Sequence, residues 1–365
     1  MLQMPEYKNT FFALLVAFGF LGLGADASGY RAETIPVSVR DAFKTGETAP
    51  HLLAETDQFI WGTSVTRWSD GKYHAYASRW SRAKGFSAWL TDSTIVHAVA
   101  DRPEGPYRIT STVLKSRNRT GWDLVNAHNP YICRDGDQLH LYYIASRFRG
   151  EIEKAAGKPF PSEAWLKKNR SPLVRNSQCI GVASSRQPAG PFERSPEPVV
   201  VPHGNFKNIA VNPAVIQEKG RFLMVMKGDA SGKEHLHRIQ LVGESKSAAG
   251  PFRFSDTPVY AERQTEDACI WFNQKEGDYN MVCHVMGQPD LAWFKSKDGQ
   301  DWQPAPQPVF MKKEIRLDDG TIWKPKRFER PFVLTDDQGE PIMLFIAILD
   351  QGRSGNIAIP LRPAH

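Results

Sequence analysis

One pattern of polar and apolar positions occurs five times along the 365-residue chain. Each copy has a polar start, an apolar run, a turn that contains glycine, and a second apolar or aromatic run. The copies begin at Thr63, His128, Val211, Glu266 and Glu329, and their turns contain Gly71, Gly136, Gly220, Gly277 and Gly339. Two such runs joined by a glycine turn predict a β-hairpin, because glycine adopts the positive φ angles that hairpin turns require.

A second turn signature follows most of the hairpins. It reads PEGPY, PAGPF and AAGPF at residues 103–107, 188–192 and 248–252, and more loosely KDGQDW at residues 297–302. A turn at this place predicts a third and a fourth strand in each unit. Five units of four strands are the pattern of propeller blades, whereas a β-sandwich does not repeat the same pair of turns. The sequence therefore predicts an all-β fold, a five-bladed β-propeller with four-stranded blades.

The N-terminus sets the predicted domain organisation. Residues 11–24 are an apolar run that follows Lys8 and precedes Ala25-Asp26-Ala27, which is the pattern of a cleavable signal peptide. We expect residues 1–27 to be that signal peptide, with cleavage after Ala27 and a periplasmic or secreted product; the alternative is an uncleaved membrane anchor. Residues 28–57 are then a lead-in segment, and residues 58–365 form the propeller catalytic domain.

Residues 147–178 interrupt the second blade between its second and third strands. The segment contains two short helical patterns, Glu151–Ala156 and Ser162–Lys168, separated by Pro159 and Pro161. We therefore predict a short helical insertion in blade 2 and not a further domain.

Charge and motifs exclude several classes of function. The net charge of +6 is spread out, without a block of Lys and Arg, so the sequence does not predict a nucleic-acid partner. The cysteines form no CxxC pair or zinc spacing; Cys269 and Cys283 either face each other on paired strands or remain free thiols. The chain has no glycine-rich phosphate loop, GxSxG motif or HExxH motif.

Strand order predicts which residues meet at the propeller axis. In an antiparallel blade both glycine turns lie at one end, so the first strands of all blades begin together at the other end. These beginnings are Thr63-Ser64, His128-Asn129, Val211-Asn212, Glu266-Asp267 and Glu329-Arg330. Polar residues stand where a structural strand prefers valine or isoleucine. They predict a polar funnel that binds a ligand, and the alternative is that they only cap the strand ends.

Two of these beginnings carry carboxylates, and cleavage of a glycosidic bond requires a pair of carboxyl groups. Glu266-Asp267-Ala268 and Glu329-Arg330-Pro331 resemble two motifs of the five-bladed propeller glycoside hydrolases of families 43, 32 and 117. In these families a DP-type motif carries a catalytic Asp and an EGP-type motif carries the general acid. The resemblance covers residues 58–350. It implies an exported glycoside hydrolase that cleaves a plant or algal poly- or oligosaccharide by inversion.

The resemblance implies roles for the candidate residues. Asp267 takes the place of the general base, or of a nucleophile if the two carboxyl groups lie within about 5.5 Å, and Glu329 that of the general acid. Glu266 is a second candidate acid or a partner of Asp267, and His128 is a candidate acid, metal ligand or structural residue. The expected substrate contacts are Asn129, Asn212, Arg330, Lys227 and Ser64, with stacking on Trp122 and Trp323.

The first blade departs from the resemblance, because Thr63-Ser64 lacks the Asp that these families carry there. This departure keeps two alternatives open: a non-catalytic carbohydrate-binding propeller, and a glycoside phosphorylase-like transferase that would bind phosphate through Lys227, Arg327 and Arg330. We expect a monomer with a carbohydrate as its partner and no membrane contact after signal cleavage. The chemistry requires no cofactor or catalytic metal, and a Ca²⁺ or other ion on the axis remains an alternative.

Overall fold

The computed structural model describes residues 30–115, 121–148, 150, 153–154, 157, 161–233 and 236–364. Within this part of the chain, five antiparallel sheets surround a central axis, and each sheet is one blade. The fold is therefore a five-bladed β-propeller, as the repeated pattern predicts. The predicted signal peptide at residues 1–27 lies outside the described residues, and so does the helical pattern Glu151–Ala156 except for residues 153–154.

The blades follow one another along the chain, and in blades 1 to 4 the strands run in chain order from the axis outwards. Two short strands, β1 (Tyr30–Ala32) and β2 (Leu52–Leu53), come first. Blade 1 contains β3 (Gln58–Arg67), β4 (Tyr73–Ser81), β5 (Thr94–Ala100) and β6 (Arg108–Leu114). Blade 2 contains β7 (His128–Asp135), β8 (Gln138–Ser146), β9 (Gln178–Ser185) and β10 (Glu193–Arg194).

The last three blades complete the circle. Blade 3 contains β11 (Phe206–Glu218), β12 (Arg221–Ala230), β13 (Arg238–Ser245) and β14 (Arg253–Phe254). Blade 4 contains β15 (Thr265–Asn273), β16 (Asp278–Val285), β17 (Asp290–Ser296) and β18 (Gln303–Lys312). A small hairpin of β19 (Ile315–Arg316) and β20 (Ile322–Trp323) precedes blade 5, which contains β21 (Arg327–Thr335), β22 (Pro341–Asp350) and β23 (Arg353–Pro363).

The outer strand of blade 5 comes from the N-terminal side of the chain. β1 pairs with β23 in antiparallel register, with Tyr30 opposite Pro363 and Ala32 opposite Leu361, and β2 pairs with the same strand. The sequence pattern places this segment in a lead-in ahead of the blades. A three-residue strand is too short to show a two-residue period, so the pairing is visible only in the structure.

Helices are few and lie mainly in two insertions. The α-helices whose bounds the described ranges contain are α1 (Val37–Thr45), α2 (Trp89–Asp92) and α3 (Glu163–Lys168), and shorter helical turns span Arg82–Lys84, Phe86–Ala88, Arg170–Val174 and Arg175–Ser177. α3 confirms the predicted helix in the blade 2 insertion, and the Ser162 hydroxyl caps it by accepting from the Trp165 N–H at 3.2 Å. The helices in the described ranges are all too short or too polar to cross a bilayer.

The middle strands of the blades are buried on both faces. Every residue of β16 is buried, and so is every residue of β8 after the first. Each blade packs between two neighbours, so both faces of its sheet are shielded from solvent. This burial explains the continuous apolar runs in the sequence. All four cysteines are buried free thiols. Cys269 lies opposite Val282, so it does not face Cys283 across the hairpin.

Candidate functional site

Two cavities lie on the axis, at opposite ends of the inner strands. The cavity at the turn end has a volume of ≈ 280 Å³, and Asp337 is the one carboxylate among the described residues that line it. The cavity at the other end has a volume of ≈ 270 Å³ and is lined by the beginnings of the inner strands, including Glu266, Asp267 and Glu329. The latter, which we name the axial cavity, is the candidate active site.

Each inner strand contains the same backbone irregularity. The pairing between the first and second strands shifts register at this point in all five blades, and the first residue of the shifted segment has a positive φ. These residues are Gly62 (62°), Asn129 (49°), Asn212 (54°), Asp267 (61°) and Arg330 (57°). Gly, Asn and Asp tolerate left-handed backbone, whereas Arg is strained there, and such strain is concentrated at functional sites.

Four of these five residues form a hydrogen-bonded arc around the axis, which we name the axial ring: Asn129, Asn212, Asp267 and Arg330. The Asn129 Nδ2 donates to Asn212 Oδ1 at 2.8 Å, and the Asn212 Nδ2 donates to Asp267 Oδ1 at 2.6 Å. The Arg330 Nη1 donates to the same Asp267 oxygen at 3.4 Å. The amides that the sequence predicts as substrate contacts therefore also position a carboxylate.

Gly62, and not Ser64, is the blade 1 counterpart of Asp267. A Cβ atom on Gly62 would lie 3.0 Å from Asn129 Oδ1 and 3.5 Å from Arg330 Nε, so the missing side chain leaves room for its neighbours in the axial ring. Ser64 lies two residues further along β3, fully buried, where its Oγ accepts from the Ile132 N–H at 3.1 Å. Ser64 therefore does not line the axial cavity, and the sequence does not reveal the register because Gly62 carries no polar side chain.

Most of the predicted site residues line the axial cavity. They are Asp267, Glu329, Glu266, His128, Asn129, Asn212, Arg330 and Lys227. Trp122 and Trp323 do not line it. Trp122 is fully buried and stacks on Tyr143, with 6.1 Å between ring centroids. Trp323 packs against Phe43 of α1 at 5.1 Å and donates from Nε1 to Asp350 at 3.1 Å. Both indoles are structural, which corrects their predicted role in sugar stacking.

A different set of aromatic residues forms one wall of the axial cavity. Trp61 comes from β3, Trp80 from β4, and Phe86 and Trp89 from the segment that links β4 to β5. Phe86 and Trp89 are partly exposed, whereas Trp61 and Trp80 are buried. Partly exposed aromatic faces are suitable for packing against the apolar face of a sugar ring. The sequence places Trp80 and Trp89 at this end of the propeller but does not distinguish them from core residues.

Asp267 is ionised at the centre of the axial ring. Burial alone would raise its pKa, but the positive charge of Arg330 and a hydrogen bond from the Arg330 backbone N–H at 3.3 Å outweigh this effect. The pKa of Asp267 is therefore lower than that of an exposed aspartate. A carboxylate that stays ionised fits a general base or an electrostatic stabiliser.

Glu329 has the opposite electrostatic environment. Burial raises its pKa, and the negative charge of Asp267 raises it further. Its ion pair with Arg327, 3.0 Å between Nη1 and Oε1, lowers the pKa only in part. A carboxyl group with a raised pKa keeps its proton to higher pH, which is the property of a general acid.

Glu266 lies between two cations. Its Oε2 is 2.8 Å from the Lys227 Nζ and 3.0 Å from the Arg238 Nε. A carboxylate oxygen held by two cations fits a partner role for Glu266 better than that of the proton donor.

His128 is held between aromatic rings in the wall of the cavity. Trp89 stacks on the imidazole at 4.8 Å, and Nδ1 lies 2.9 Å from the Ser93 hydroxyl. Burial, with a further contribution from the charge of Arg330, holds the pKa of His128 well below its usual value. The imidazole is therefore neutral at neutral pH, which favours hydrogen bonding over proton donation.

The axial ring does not fit a bound cation. No cluster of three or more His, Cys, Asp or Glu side chains suited to a metal occurs in the described ranges. The Arg330 guanidinium lies within the ring and would repel a cation, and Ca²⁺ requires about six to eight oxygen ligands. The alternative of an axial ion is therefore not supported by the residues present.

Sequence reasoning missed three polar residues of the cavity. Arg175 and Gln178 come from the end of the blade 2 insertion, and Arg238 comes from the beginning of β13. None belongs to a first strand, so aligning the five strand beginnings does not find them. The signal that could have found them is their position in the chain. Each lies at the link between the second and third strands of its blade, and the topology places these links at the same end of the propeller as the axial cavity.

Similarity to known proteins is found at the level of structure. No protein-family model and no curated protein sequence matches the chain. Zg3597, a family 117 glycoside hydrolase from the marine bacterium Zobellia galactanivorans, matches with a TM-score of 0.61 and 14% identity over 92% of this chain and 90% of that one. A GH43_1 enzyme from Xanthomonas citri, complexed with xylotriose, matches with a TM-score of 0.53 and 16% identity over 90% and 93%.

A third solved structure, of a thermostable family-43 glycoside hydrolase, matches with a TM-score of 0.56 and 13% identity over 84% of this chain and 90% of that one. At such identities the likeness concerns the fold. The chain has the five-bladed propeller fold of these solved glycoside hydrolases, and its axial cavity is a separate observation.

Proposed function

We propose that the protein is a glycoside hydrolase that cleaves a plant or algal poly- or oligosaccharide by inversion in the axial cavity. One observation carries the proposal: two carboxyl groups in the same cavity have environments that shift their pKa values in opposite directions. The pKa of Asp267 is lowered and that of Glu329 is raised. Such divergence is the pattern of paired acid and base carboxyls in glycoside cleavage.

The proposed reaction uses each carboxyl in the form that its surroundings favour. Glu329 donates its proton to the glycosidic oxygen as the bond from that oxygen to the anomeric carbon breaks. Asp267 accepts a proton from a water molecule as the water oxygen bonds to the anomeric carbon from the opposite face. One water is consumed and two sugars with free hydroxyl groups leave. Exchange with solvent then restores both carboxyl groups.

The remaining residues of the cavity supply binding and charge. Phe86 and Trp89 would pack against the sugar ring, and the neutral His128 and the amides of the axial ring would contact its hydroxyl groups. The solved structures with this fold support the proposal, because family 117 and family 43 glycoside hydrolases are among them. We also propose that residues 1–27 direct export, so that a monomeric enzyme meets glycans in the periplasm or outside the cell.

The test measures sugar release from a panel of plant and algal glycans. The wild-type protein should release reducing sugar from at least one, and the anomer formed first, read by NMR, should be inverted. Asp267→Asn and Glu329→Gln should each lower the rate by a factor of about 10² or more. Glu47 is exposed and does not line the axial cavity, so Glu47→Gln should retain full activity.

Each alternative predicts a different result. Binding without release by the wild type would identify a carbohydrate-binding propeller and contradict catalysis. Release that depends on inorganic phosphate would identify a phosphorylase. Full activity in both carboxyl variants would contradict the assignment of Asp267 and Glu329.

A further inference from the structure

We propose that the axial cavity binds a glycan that carries an anionic group, a carboxylate or a sulfate, and that Arg238 anchors this group beside Lys227. The inference rests on the proposed function, because it names the chemical class of the substrate. The inference also goes beyond it, because the acid and base carboxyls alone would serve a neutral sugar equally well.

Ion pairing within the cavity wall is one-to-one at three places. Arg175 pairs with Asp229, Arg327 pairs with Glu329, and Arg330 pairs with Asp267. Each of these cations therefore has its charge balanced by one carboxylate. Pairs of this kind add little net charge to the cavity.

The fourth place is different, because two cations share one carboxylate. Lys227 and Arg238 both contact the Oε2 of Glu266, at 2.8 and 3.0 Å. While Glu329 is ionised, this group of three residues holds the unbalanced positive charge among the described residues that line the cavity. When Glu329 is protonated, Arg327 loses its partner and the surplus increases.

The guanidinium of Arg238 has hydrogen-bond donors that no described residue uses. The backbone N–H of Arg238 donates to Gln264 at 2.9 Å and the residue pairs with Asp229 in the sheet, so the base of the side chain is fixed. Its Nε lies 3.0 Å from the Glu266 Oε2, and neither Nη atom donates a hydrogen bond to a described residue. The side chain is 41% exposed, whereas that of Lys227 is 13% exposed.

This arrangement matches the shape and charge of an oxyanion. Two Nη–H groups in one plane bind a carboxylate or a sulfate through parallel hydrogen bonds, and the deeper Lys227 ammonium adds a point charge. The cavity is partly enclosed by Trp61, Trp80 and Trp89, and low-dielectric walls strengthen the field of an unbalanced charge. A neutral sugar would leave this charge uncompensated.

The test compares acidic sugars with neutral sugars of the same ring, which separates charge from shape. The uronate set contains galacturonate, glucuronate and mannuronate, each with its methyl ester and the parent hexose. The sulfate set contains 6-sulfated galactose and glucose with the parent hexoses. Monosaccharides contain no glycosidic bond, so binding to the wild-type full chain is measured by calorimetry without turnover. At least one acidic sugar should bind about tenfold more tightly than its neutral match.

Variants link the preference to the proposed anchor. Arg238→Gln should lower the affinity for the preferred acidic sugar about tenfold and leave that for the neutral match unchanged. Arg186→Gln is the matched control, because Arg186 is a 70% exposed partner of Asp137 in the turns of blade 2, at the end away from the axial cavity. Raised salt should weaken binding of the acidic sugar alone. A preferred sugar from the uronate set would identify the anionic group as a carboxylate, and one from the sulfate set would identify it as a sulfate.

Failure of the inference is distinguishable from failure of the proposed function. Equal affinity for acidic and neutral sugars, no binding of any acidic sugar at millimolar concentration, or an unchanged preference in Arg238→Gln would each overturn the inference. Release of neutral sugars from neutral glycans would then still support the hydrolase. Tight, Arg238-dependent binding of an acidic sugar without release from any glycan would support the inference and contradict catalysis.

Discussion

Arg330 and Asp267 form an ion pair on the propeller axis, with 3.4 Å between Nη1 and Oδ1, and both side chains are only 7% exposed. The two residues belong to neighbouring blades, and both hold left-handed backbone. The same pair therefore joins blades 4 and 5 and sets the charge of the proposed general base. Stability and chemistry are coupled at this contact.

Arg330→Gln should be strongly destabilising. It leaves the buried Asp267 carboxylate without its cation, and breaking a buried pair in this way costs about 3–5 kcal/mol. Urea unfolding measures the loss. Arg186→Gln, which breaks an exposed pair with Asp137, should change the free energy of unfolding by about 0–1 kcal/mol. A change in Arg330→Gln no larger than this control would contradict the role of the pair.

The contribution of Asp267 to stability should disappear in acid. Its pKa is lower in the folded state than in the unfolded chain, so ionisation favours folding. This contribution is complete above about pH 4 and is lost as the pH falls through the folded-state pKa. The difference in unfolding free energy between wild type and Asp267→Asn should therefore shrink on acidification below that point. A difference that is constant with pH would show that the ionised form gives no stability.

Glu329→Gln should raise stability at neutral pH while it lowers the rate of sugar release by a factor of about 10² or more. The raised pKa of Glu329 means that folding opposes its ionisation, and an uncharged amide removes this cost. The gain should be about 0.5–1 kcal/mol near pH 7 and should vanish below about pH 4, where the wild-type carboxyl is protonated in both states. Thermal unfolding at several pH values provides the measurement. The exposed Glu47→Gln should show no gain.

Arg327→Gln should move the pH dependence of catalysis. Arg327 lowers the pKa of Glu329 by charge and by a 3.0 Å hydrogen bond. Its loss should shift the basic limb of the kcat/KM profile to higher pH, because the proposed acid would keep its proton longer. The acidic limb, assigned to Asp267, should stay in place. A shift of both limbs, or of neither, would show that the ionisation of Glu329 does not set the basic limb of the profile.

Gly62→Ala should be more damaging than the same change at another glycine with positive φ. Both Gly62 (φ 62°) and Gly71 (φ 82°) are left-handed, so alanine is strained at both by about 1–2 kcal/mol. At Gly71 a Cβ meets nothing within 4 Å, whereas at Gly62 it lies 3.0 Å from Asn129 Oδ1. The excess loss of unfolding free energy in Gly62→Ala over Gly71→Ala measures the crowding in the axial ring. Equal losses would show that the ring does not need the space.

The sequence was sufficient for the fold because the signals of a blade are local. Glycine turns and apolar runs recur in each unit, and the structure confirms the five hairpins and the helix at Ser162–Lys168 in the insertion. Reasoning from the strand ends also brought eight of the eleven candidate residues to one cavity. The first blade was misaligned because Gly62 carries no side chain to reveal the register.

The remaining site residues depend on long-range packing. Trp122 and Trp89 are both tryptophans near strand ends, yet one is buried beside Tyr143 and the other faces the cavity. Nothing in their local sequence separates the two. Arg238 and Arg175 reach the cavity through the links between second and third strands, whose paths are set by neighbouring blades. Tertiary packing therefore determines which of these residues reach the cavity.

The pairing of β1 with β23 also has a consequence for the order of events during synthesis. β1 emerges early, at Tyr30–Ala32, but its partner, Arg353–Pro363, is made after the strands of the other four blades. Blades 1 to 4 are each continuous in sequence and can assemble as they appear, whereas blade 5 waits for the final strand. Until then the circle of blades is incomplete, and the inner strands of blades 5 and 1 cannot enclose the axis. Ligand affinity should therefore arise only after β23 has been made and paired.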